Sequence, residues 1–569
     1  MSEGPAPGVI PRLSETQRFL LLAVLIGVAT GLLIVCFHAA IELLAWFIDD
    51  AGAPAWLRVL VPGGGAAAAA LFVRYVAPAG GGSGIVQTKS AIYVSNGNIP
   101  FSAIPGKFAA CCLSIGSGTP LGPEDPSLLM GAGIASSLGR AFELTRRSMR
   151  LVAPTGAAAG IAAAFNTPIT AVLFVMEEVV AAWDAAVLGS IVLAAVAAVV
   201  VARLFLGDAP LFSVPELSAS IGLEQVVAFA ILGVASGIFA AVYVKAIAAV
   251  RNRFGEHSRL IPGLAPLAAG AAAGVVGLWM PEVLGPGYRA MDAALHSQYP
   301  WTTMAMLGGA KLIVAALAFG AGSPGGLFAP TLFLGVMLGG VLGGLGPEVV
   351  PALDWPAVGF VLAGVSGVFA GVFRAPMTAV FMVFELSGSS AMIVPAMITA
   401  TLGFLVARRL HHRSLLDLVA DEEGAVLPSA RQQREEEPLR VEQALGRGGS
   451  AFVVLPPETP LDAARQAGDG RIVLTMVDGA WRGAEAHALG EPRSDGAAML
   501  GSASALDGLA IAHLDEPLDA VLRRLARQPF VPIVSRLDPA RVEGVVSLRD
   551  VHAAYGIQPE PAERHQRRE

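Results

Sequence analysis

The segment Gly116-Ser-Gly-Thr-Pro-Leu-Gly-Pro-Glu-Asp-Pro126 returns later in the chain as Gly320-Ala-Gly-Ser-Pro-Gly-Gly-Leu-Phe-Ala-Pro330. Both keep the frame G-x-G-x-P-x-G-x-x-x-P, and a lysine, Lys107 or Lys311, precedes each at the same distance. A second segment, Phe165-Asn-Thr-Pro-Ile-Thr-Ala-Val-Leu-Phe-Val-Met-Glu177, returns as Phe373-Arg-Ala-Pro-Met-Thr-Ala-Val-Phe-Met-Val-Phe-Glu385, with seven of thirteen positions identical. Two independent blocks that repeat at nearly one spacing mark an internal duplication, with halves at about 18–205 and 220–410.

The 569 residues are 54% hydrophobic and only 15% charged, whereas soluble proteins carry roughly a quarter charged residues. That composition excludes a soluble enzyme, a disordered scaffold and a nucleic-acid binder, and a net charge of −7 offers no attraction to polyanions. Charge is also unevenly spread: residues 411–569 hold 43 of the 83 Asp, Glu, Lys and Arg residues. The expected organisation is a cytoplasmic N-terminal segment (1–17), a polytopic membrane domain (18–410), a linker (411–439), a small soluble domain (440–557) and a polar tail (558–569). The linker contains the polar run Arg431-Gln-Gln-Arg-Glu-Glu-Glu-Pro438. No removable signal peptide is expected, because a basic region, short apolar run and cleavage site are missing from the start of the chain. Cys36, Cys111 and Cys112 lie in apolar stretches and read as packing residues rather than a disulfide framework.

A bilayer crossing takes about 20 apolar residues. Residues 19–47, 225–250 and 392–410 meet that length, while 104–115, 128–138, 152–165 and 327–345 read as too short or as cut by Gly and Pro. Interrupted helices are tolerated at membrane depth only where they are buried in protein or line a wet cavity. Duplicated membrane proteins place substrate between such helices at the repeat interface, so a transport pathway is favoured over a purely structural role. In the G-x-G-x-P frame, glycine lets backbone approach the pathway and proline fixes the turn before a new helix. A helix start exposes unpaired N–H groups and about half a positive charge, so two converging starts suit an anion. Gly81-Gly-Ser-Gly-Ile85 is a third such start, with Ser83 adding a hydroxyl donor.

Differences between the halves single out the acids. Glu177 matches Glu385, which implies a structural task common to both halves, such as a helix-end hydrogen bond. Glu178 matches Leu386 and Glu124 matches Phe328, so each is an acid added to one half only. Ionisable groups inside a membrane span are costly and point to function; an interfacial acid reaching water is the alternative, and a closer one for Glu178 than for Glu124. A carboxylate at a helix start competes with a permeant anion when ionised and leaves when protonated. One group can then be both gate and proton carrier, with a second acid serving the other solution. The physical reading is proton-coupled anion exchange.

These residues resemble the CLC family of chloride channels and chloride/proton antiporters, over roughly residues 18–410. Gly82-Ser-Gly-Ile-Val86 is similar to the family's GSGIP, Gly122-Pro-Glu-Asp-Pro126 to G[KR]EGP, and Gly326-Leu-Phe-Ala-Pro330 to GxFxP. The stretch from Gly156 through Phe165-Asn-Thr-Pro168 to Glu177-Glu178 resembles the segment bearing the internal proton glutamate. The resemblance implies an all-α inverted-repeat fold of tilted, broken helices and a homodimer with one pore per subunit. It implies chloride and protons as the transported ions, with no cofactor required, in a bacterial inner membrane. It assigns Ser83, Gly84 and Asp125, with the backbone N–H groups of Leu327 and Phe328, to the anion site. Glu124 becomes the gate and Glu178 the internal proton residue; serine at 83 goes with chloride preference over nitrate. The basic cluster Arg408, Arg409, His411, His412 and Arg413 ends an apolar helix and favours cytoplasmic termini.

The chain departs from the family pattern in three places. Pro123 replaces a basic residue and Asp125 a glycine, so a second carboxylate stands beside Glu124. Two readings of Asp125 are open: it shifts gating to higher pH through like-charge repulsion, or it caps the helix that follows it. Val86 replaces a proline and is expected to loosen the turn presenting Ser83. Leu416 falls where the family carries a pore tyrosine, which predicts a wider, less polar inner gate and looser proton coupling. The alternative is therefore a passive, gated chloride channel. An intramembrane protease using Glu124 and Asp125 is a weaker rival, because adjacent helical residues point in different directions.

The soluble part carries its own repeat: Thr459-Pro-Leu-Asp-Ala-Ala464 resembles Glu516-Pro-Leu-Asp-Ala-Val521, each after a β-rich run. Val542-Glu-Gly-Val-Val-Ser-Leu-Arg-Asp550 resembles the close of a CBS domain. Residues 440–557 thus read as a small α/β CBS pair, degenerate in its first half. By that resemblance Ser547 and Asp550 match ribose contacts of an adenine nucleotide; a structural dimer contact is the other reading.

Overall fold

The computed structural model describes residues 15–50, 54–93, 95–144, 146–180, 185–208, 212, 214, 222–260, 263–423, 439–446, 451–489, 499–503 and 506–554. The expected linker run 431–438, the polar tail 558–569 and most of the N-terminal segment lie outside these residues. The chain divides into two compact units, Met1–Val419 and Ala420–Glu569.

The first unit is all-α and repeats an eight-helix order. The first half runs α1 (Glu15–Asp50), α2 (Ala55–Tyr75), α3 (Gly84–Tyr93), α4 (Ala103–Gly116), α5 (Glu124–Ala141), α6 (Arg146–Phe165), α7 (Pro168–Phe174) and α8 (Ala185–Leu206). The second runs α9 (Leu223–Leu260), α10 (Leu264–Gly277), α11 (Tyr288–Leu295), α12 (Trp301–Gly320), α13 (Phe328–Val349), α14 (Ala357–Phe373), α15 (Pro376–Ser387) and α16 (Ile393–Leu410). Seven helices among the described residues are long and apolar enough to cross a membrane, and four apolar helices are too short to do so alone. This is a multi-pass membrane protein in which short helices meet inside the protein.

The breaks fall between helices rather than within them. The interruptions expected in 152–165 and 327–345 are absent: α6 runs 20 residues and α13 runs 22. Their glycines serve contact instead of interruption, as small residues do between membrane helices. A Cβ on Gly339 of α13 would stand 2.0 Å from the Phe360 carbonyl oxygen of α14, and one on Gly156 of α6 would stand 2.1 Å from the Gly131 oxygen of α5. True breaks follow α4 and α12, where Gly118 (φ 98°) and Gly322 (φ 88°) adopt left-handed backbone at matched positions.

Matched charges brace the two halves. Glu177 accepts from the N–H of Thr378 (2.9 Å) and of Met377 (3.2 Å) at the start of α15, and from the Thr378 hydroxyl (2.7 Å). Glu385 does the same at the start of α7, through Ile169 and Thr170. Each glutamate therefore caps a helix of the other repeat, the shared helix-end task that their matching implied.

One more helix, α17 (Leu415–Glu422), starts within the stretch read as linker. Leu415, Leu416 and Val419 on it are buried.

The second unit is α/β. Strands β1 (Phe452–Val454), β2 (Ile472–Val477), β3 (Ala480–Glu485) and β4 (Asp507–Gly508) form one sheet in that order, with β1–β2 parallel and the other pairs antiparallel. Strands β5 (Phe530–Val534) and β6 (Val542–Ser547) form an antiparallel pair, joined in parallel by a bridge from Ala512 to Ile533. Helices α18 (Val441–Ala444), α19 (Leu461–Ala467), α20 (Leu518–Leu525) and α21 (Leu548–Ala554) complete it. The repeated Pro-Leu-Asp-Ala segments open α19 and α20, each between a parallel-paired segment and a hairpin.

Close helix contact at Gly339 gives a direct test. Gly339→Ala is expected to cost about 1–3 kcal/mol by overpacking and to lower the thermal unfolding midpoint of the detergent-solubilised protein. Gly309→Ala, where a Cβ meets nothing within 4 Å, should leave the midpoint unchanged or raise it.

Candidate functional site

The starts of α5 and α13 are tied to each other. The N–H of Gly122 donates to the Gly326 carbonyl at 2.8 Å, and the N–H of Gly326 donates back to Gly122 at 2.8 Å. This two-bond bridge pairs the unwound segments just ahead of both helices, so two helix N-termini from opposite repeats converge, as the duplicated frame implied. The start of α3 joins them. A Cβ on Gly84 would lie 2.3 Å from the Asp125 carbonyl oxygen, so only glycine admits the backbone of α5 this closely.

A small cavity opens at the junction, lined by Ser83, Asp125, Leu327, Phe328, Phe373 and Leu416 among others. Its volume is about 10 Å³, room for about one water. Most residues singled out from sequence thus gather around one space: Ser83, Asp125, Leu327, Phe328 and Leu416 on its wall, with Gly84 immediately behind. Leu416, on α17, is among the residues lining the cavity. The wall beside it is aromatic, with Phe328 packed on Phe373 (4.6 Å between ring centres), Phe174 (4.9 Å) and Phe369 (5.2 Å).

The two adjacent acids at the start of α5 part company. Glu124 is fully buried and accepts a hydrogen bond from the Tyr288 hydroxyl, at the first residue of α11. Its Oε2 has no hydrogen-bonding partner among the described residues. Asp125, 4% exposed, turns the other way. Its Oδ1 accepts from the Ser83 hydroxyl (2.9 Å) and the Ile85 N–H (3.0 Å), and its Oδ2 from the Gly84 N–H (2.8 Å). The expectation that Asp125 caps its own helix is corrected by these contacts: it caps α3, some forty residues earlier in the chain. With three donors on it, the Asp125 carboxylate itself occupies a place that would suit an anion.

The turn carrying Ser83 is bonded by side chains from two helices. Val86 is buried inside α3. Lys107 Nζ donates to the carbonyls of Gly81 (3.2 Å) and Gly82 (2.5 Å), and Gln87 donates to Gly81 as well. Side chains thus hold the carbonyls of the loop that leads to Ser83. Lys311 repeats the arrangement in the second half, donating to Val283 (2.8 Å) and Gly285 (2.5 Å).

Glu178 lies elsewhere, on a π turn (Val175–Val179) that follows α7. Such turns often mark functional positions in helices. It is 4% exposed and paired with Lys89 of α3, itself 5% exposed. Tyr93, also on α3, donates to the Val180 carbonyl at 2.6 Å. Sequence reading missed Lys89 and Tyr288. A lone lysine in an apolar helix signalled the first. The second was available from Gly285-Pro-Gly-Tyr288, which restates Gly82-Ser-Gly-Ile85 203 residues later.

In the second unit Ser547 and Asp550 bond to each other at the start of α21. The Ser547 N–H (2.9 Å) and hydroxyl (2.6 Å) both donate to Asp550 Oδ2. This is a helix cap. Among the described residues no three His, Cys, Asp or Glu side chains gather as a metal site would need.

Comparison with known proteins agrees with this architecture. The voltage gated chloride channel family model matches residues 64–408. A ClcB-like chloride channel protein of Ralstonia nicotianae is 30% identical over 401 residues, covering 68% of this chain and 93% of the relative. The H(+)/Cl(−) exchange transporter ClcA of Vibrio campbellii is 29% identical, covering 69% and 86%. Among solved structures, a slow cyanobacterial Cl−/H+ antiporter superposes with a TM-score of 0.65 at 24% identity, over 71% of this chain and 98% of its own. A eukaryotic CLC transporter superposes with a TM-score of 0.71 at 19% identity, over 94% of this chain and 98% of its own. The likeness to the second therefore extends beyond the membrane unit.

The Lys89–Glu178 pair generates a stability prediction. Removing one partner of a buried ion pair typically costs about 3–5 kcal/mol, whereas replacing both by apolar groups is often near neutral. Lys89→Met should therefore lower the thermal midpoint markedly, and Lys89→Met/Glu178→Leu should recover most of the loss.

Proposed function

The chain belongs to the voltage-gated chloride channel family, and we propose that it exchanges chloride for protons across a membrane. One observation carries the reading: a buried negative group at the junction of the repeats is held by a hydroxyl and two backbone N–H groups. Donors of that kind hold a desolvated anion through fixed dipoles rather than a strongly hydrated cation. Chloride would take the Ser83 hydroxyl and the N–H groups of Leu327 and Phe328, which open α13. Glu124, buried at the same junction, would gate the pathway and carry the proton. Glu178 would pass protons to the other solution, and α3 spans the two places. A bacterial inner membrane, cytoplasmic termini and a homodimer with one pore per subunit belong to the same reading. The basic end of α16, Arg408 and Arg409, supports the orientation by the positive-inside rule.

Two observations favour the second reading, a passive gated chloride channel. Glu178 is charge-compensated by Lys89, so loading it with a proton means breaking a buried pair. Leu416 also supplies no hydroxyl to the inner part of the pathway. For the second unit we propose a CBS-like regulatory module, supported by its two related halves; titration of the full chain with ATP tests whether it takes an adenine nucleotide.

The deciding experiment uses proteoliposomes with a chloride gradient, no proton gradient and a potential clamped by potassium and valinomycin. Exchange is expected to drive protons uphill, in the direction opposite to chloride. Chloride flux without proton movement would establish the channel reading instead. Glu124→Gln should abolish proton movement while anion flux continues or rises. Glu178→Ala should remove proton movement with chloride flux retained. Wild-type proton movement in both variants would refute the two-glutamate assignment.

A further inference from the structure

We propose that Asp125 is the built-in competitor of the transported anion: its carboxylate fills the site, and chloride enters only when Asp125 leaves. The inference rests on the chloride pathway proposed above and adds a specificity- and occupancy-determining residue to it. Three observations point the same way. The Asp125 carboxylate takes the Ser83 hydroxyl and the first two backbone donors of α3. With the carboxylate there, the cavity retains room for about one water, too little for chloride and its own donors together. Glu124, the acid one residue earlier, is held away from those donors by Tyr288. Successive residues of a helix point about 100° apart, so the two acids divide the work by direction: one faces the start of α11, the other the start of α3.

Asp125 and chloride carry the same charge and use the same hydroxyl. Their binding is mutually exclusive, and apparent chloride affinity is reduced by the fraction of time the site stands open. The test measures chloride binding calorimetrically to the full-length protein in detergent, titrating sodium chloride against an isethionate background. Asp125→Ala removes the competitor and should tighten chloride binding by about tenfold or more. Asp125→Asn keeps the volume but loses the charge, and should tighten it by a smaller factor; this variant decides the matter if the alanine protein does not fold. Adding Ser83→Ala to Asp125→Ala should give back part of the gain. Affinity within twofold of wild type in both Asp125 variants overturns the inference. A gain confined to Glu124→Gln also overturns it, yet leaves chloride exchange standing. If neither the wild type nor any variant binds chloride, the pathway reading fails together with it.

Discussion

Everything at the centre of the membrane unit depends on two hydrogen bonds between Gly122 and Gly326. An unwound segment at membrane depth has no water to satisfy its N–H and C=O groups, and each unpaired group costs several kcal/mol. The duplicated chain meets that constraint by pairing the two unwound segments with each other, in a minimal antiparallel bridge. The consequence is positional. Helices α5 and α13 must start side by side, their orphan N–H groups converge, and the site follows from the repair of the break.

The charges sort themselves by whether both halves carry them. Lys107 and Lys311 each hold the carbonyls of a loop leading into a short helix. Glu177 and Glu385 each cap a helix of the opposite half. These four polar groups are spent on the backbone and keep the frame in register. Glu124, Asp125, Lys89 and Glu178 have no such duplicate task, and they are the groups that meet at the junction or at the π turn. In a membrane interior, where a buried charge needs a partner, duplication separates scaffold from chemistry more sharply than composition does.

That rule also explains what could be read in advance. The repeat, the converging helix starts and the capping role of Glu177 and Glu385 were legible because matched positions in two halves constrain each other. Continuity of α13 was not, because glycine reads equally as an interruption and as a contact; only the nearness of the Phe360 carbonyl decides it. The partner of Asp125 was hidden for another reason. Local pattern offers an acid in a first turn its own helix to cap, but Pro123 and Pro126 flank it, and proline has no N–H to donate. The carboxylate therefore finds the donors of α3, across a sequence separation that no spacing rule covers. Lys89 and Glu178 are separated by a similar gulf, 89 residues.

Helix α3 is where these strands of argument join. It is ten residues long, about 15 Å, with Asp125 on its first donors and Glu178 bound to Lys89 in its second half. If chloride replaced the Asp125 carboxylate, as proposed, charge at the start of α3 would be conserved, and the helix and its distant ion pair would feel little change in field. What is not conserved is the position of the acid. A carboxylate leaving those donors inside the protein needs new ones, since an unpaired buried charge is costly. The side chains of Phe328, Phe373 and Leu416 on the cavity wall are apolar and offer a displaced carboxylate no donor of their own.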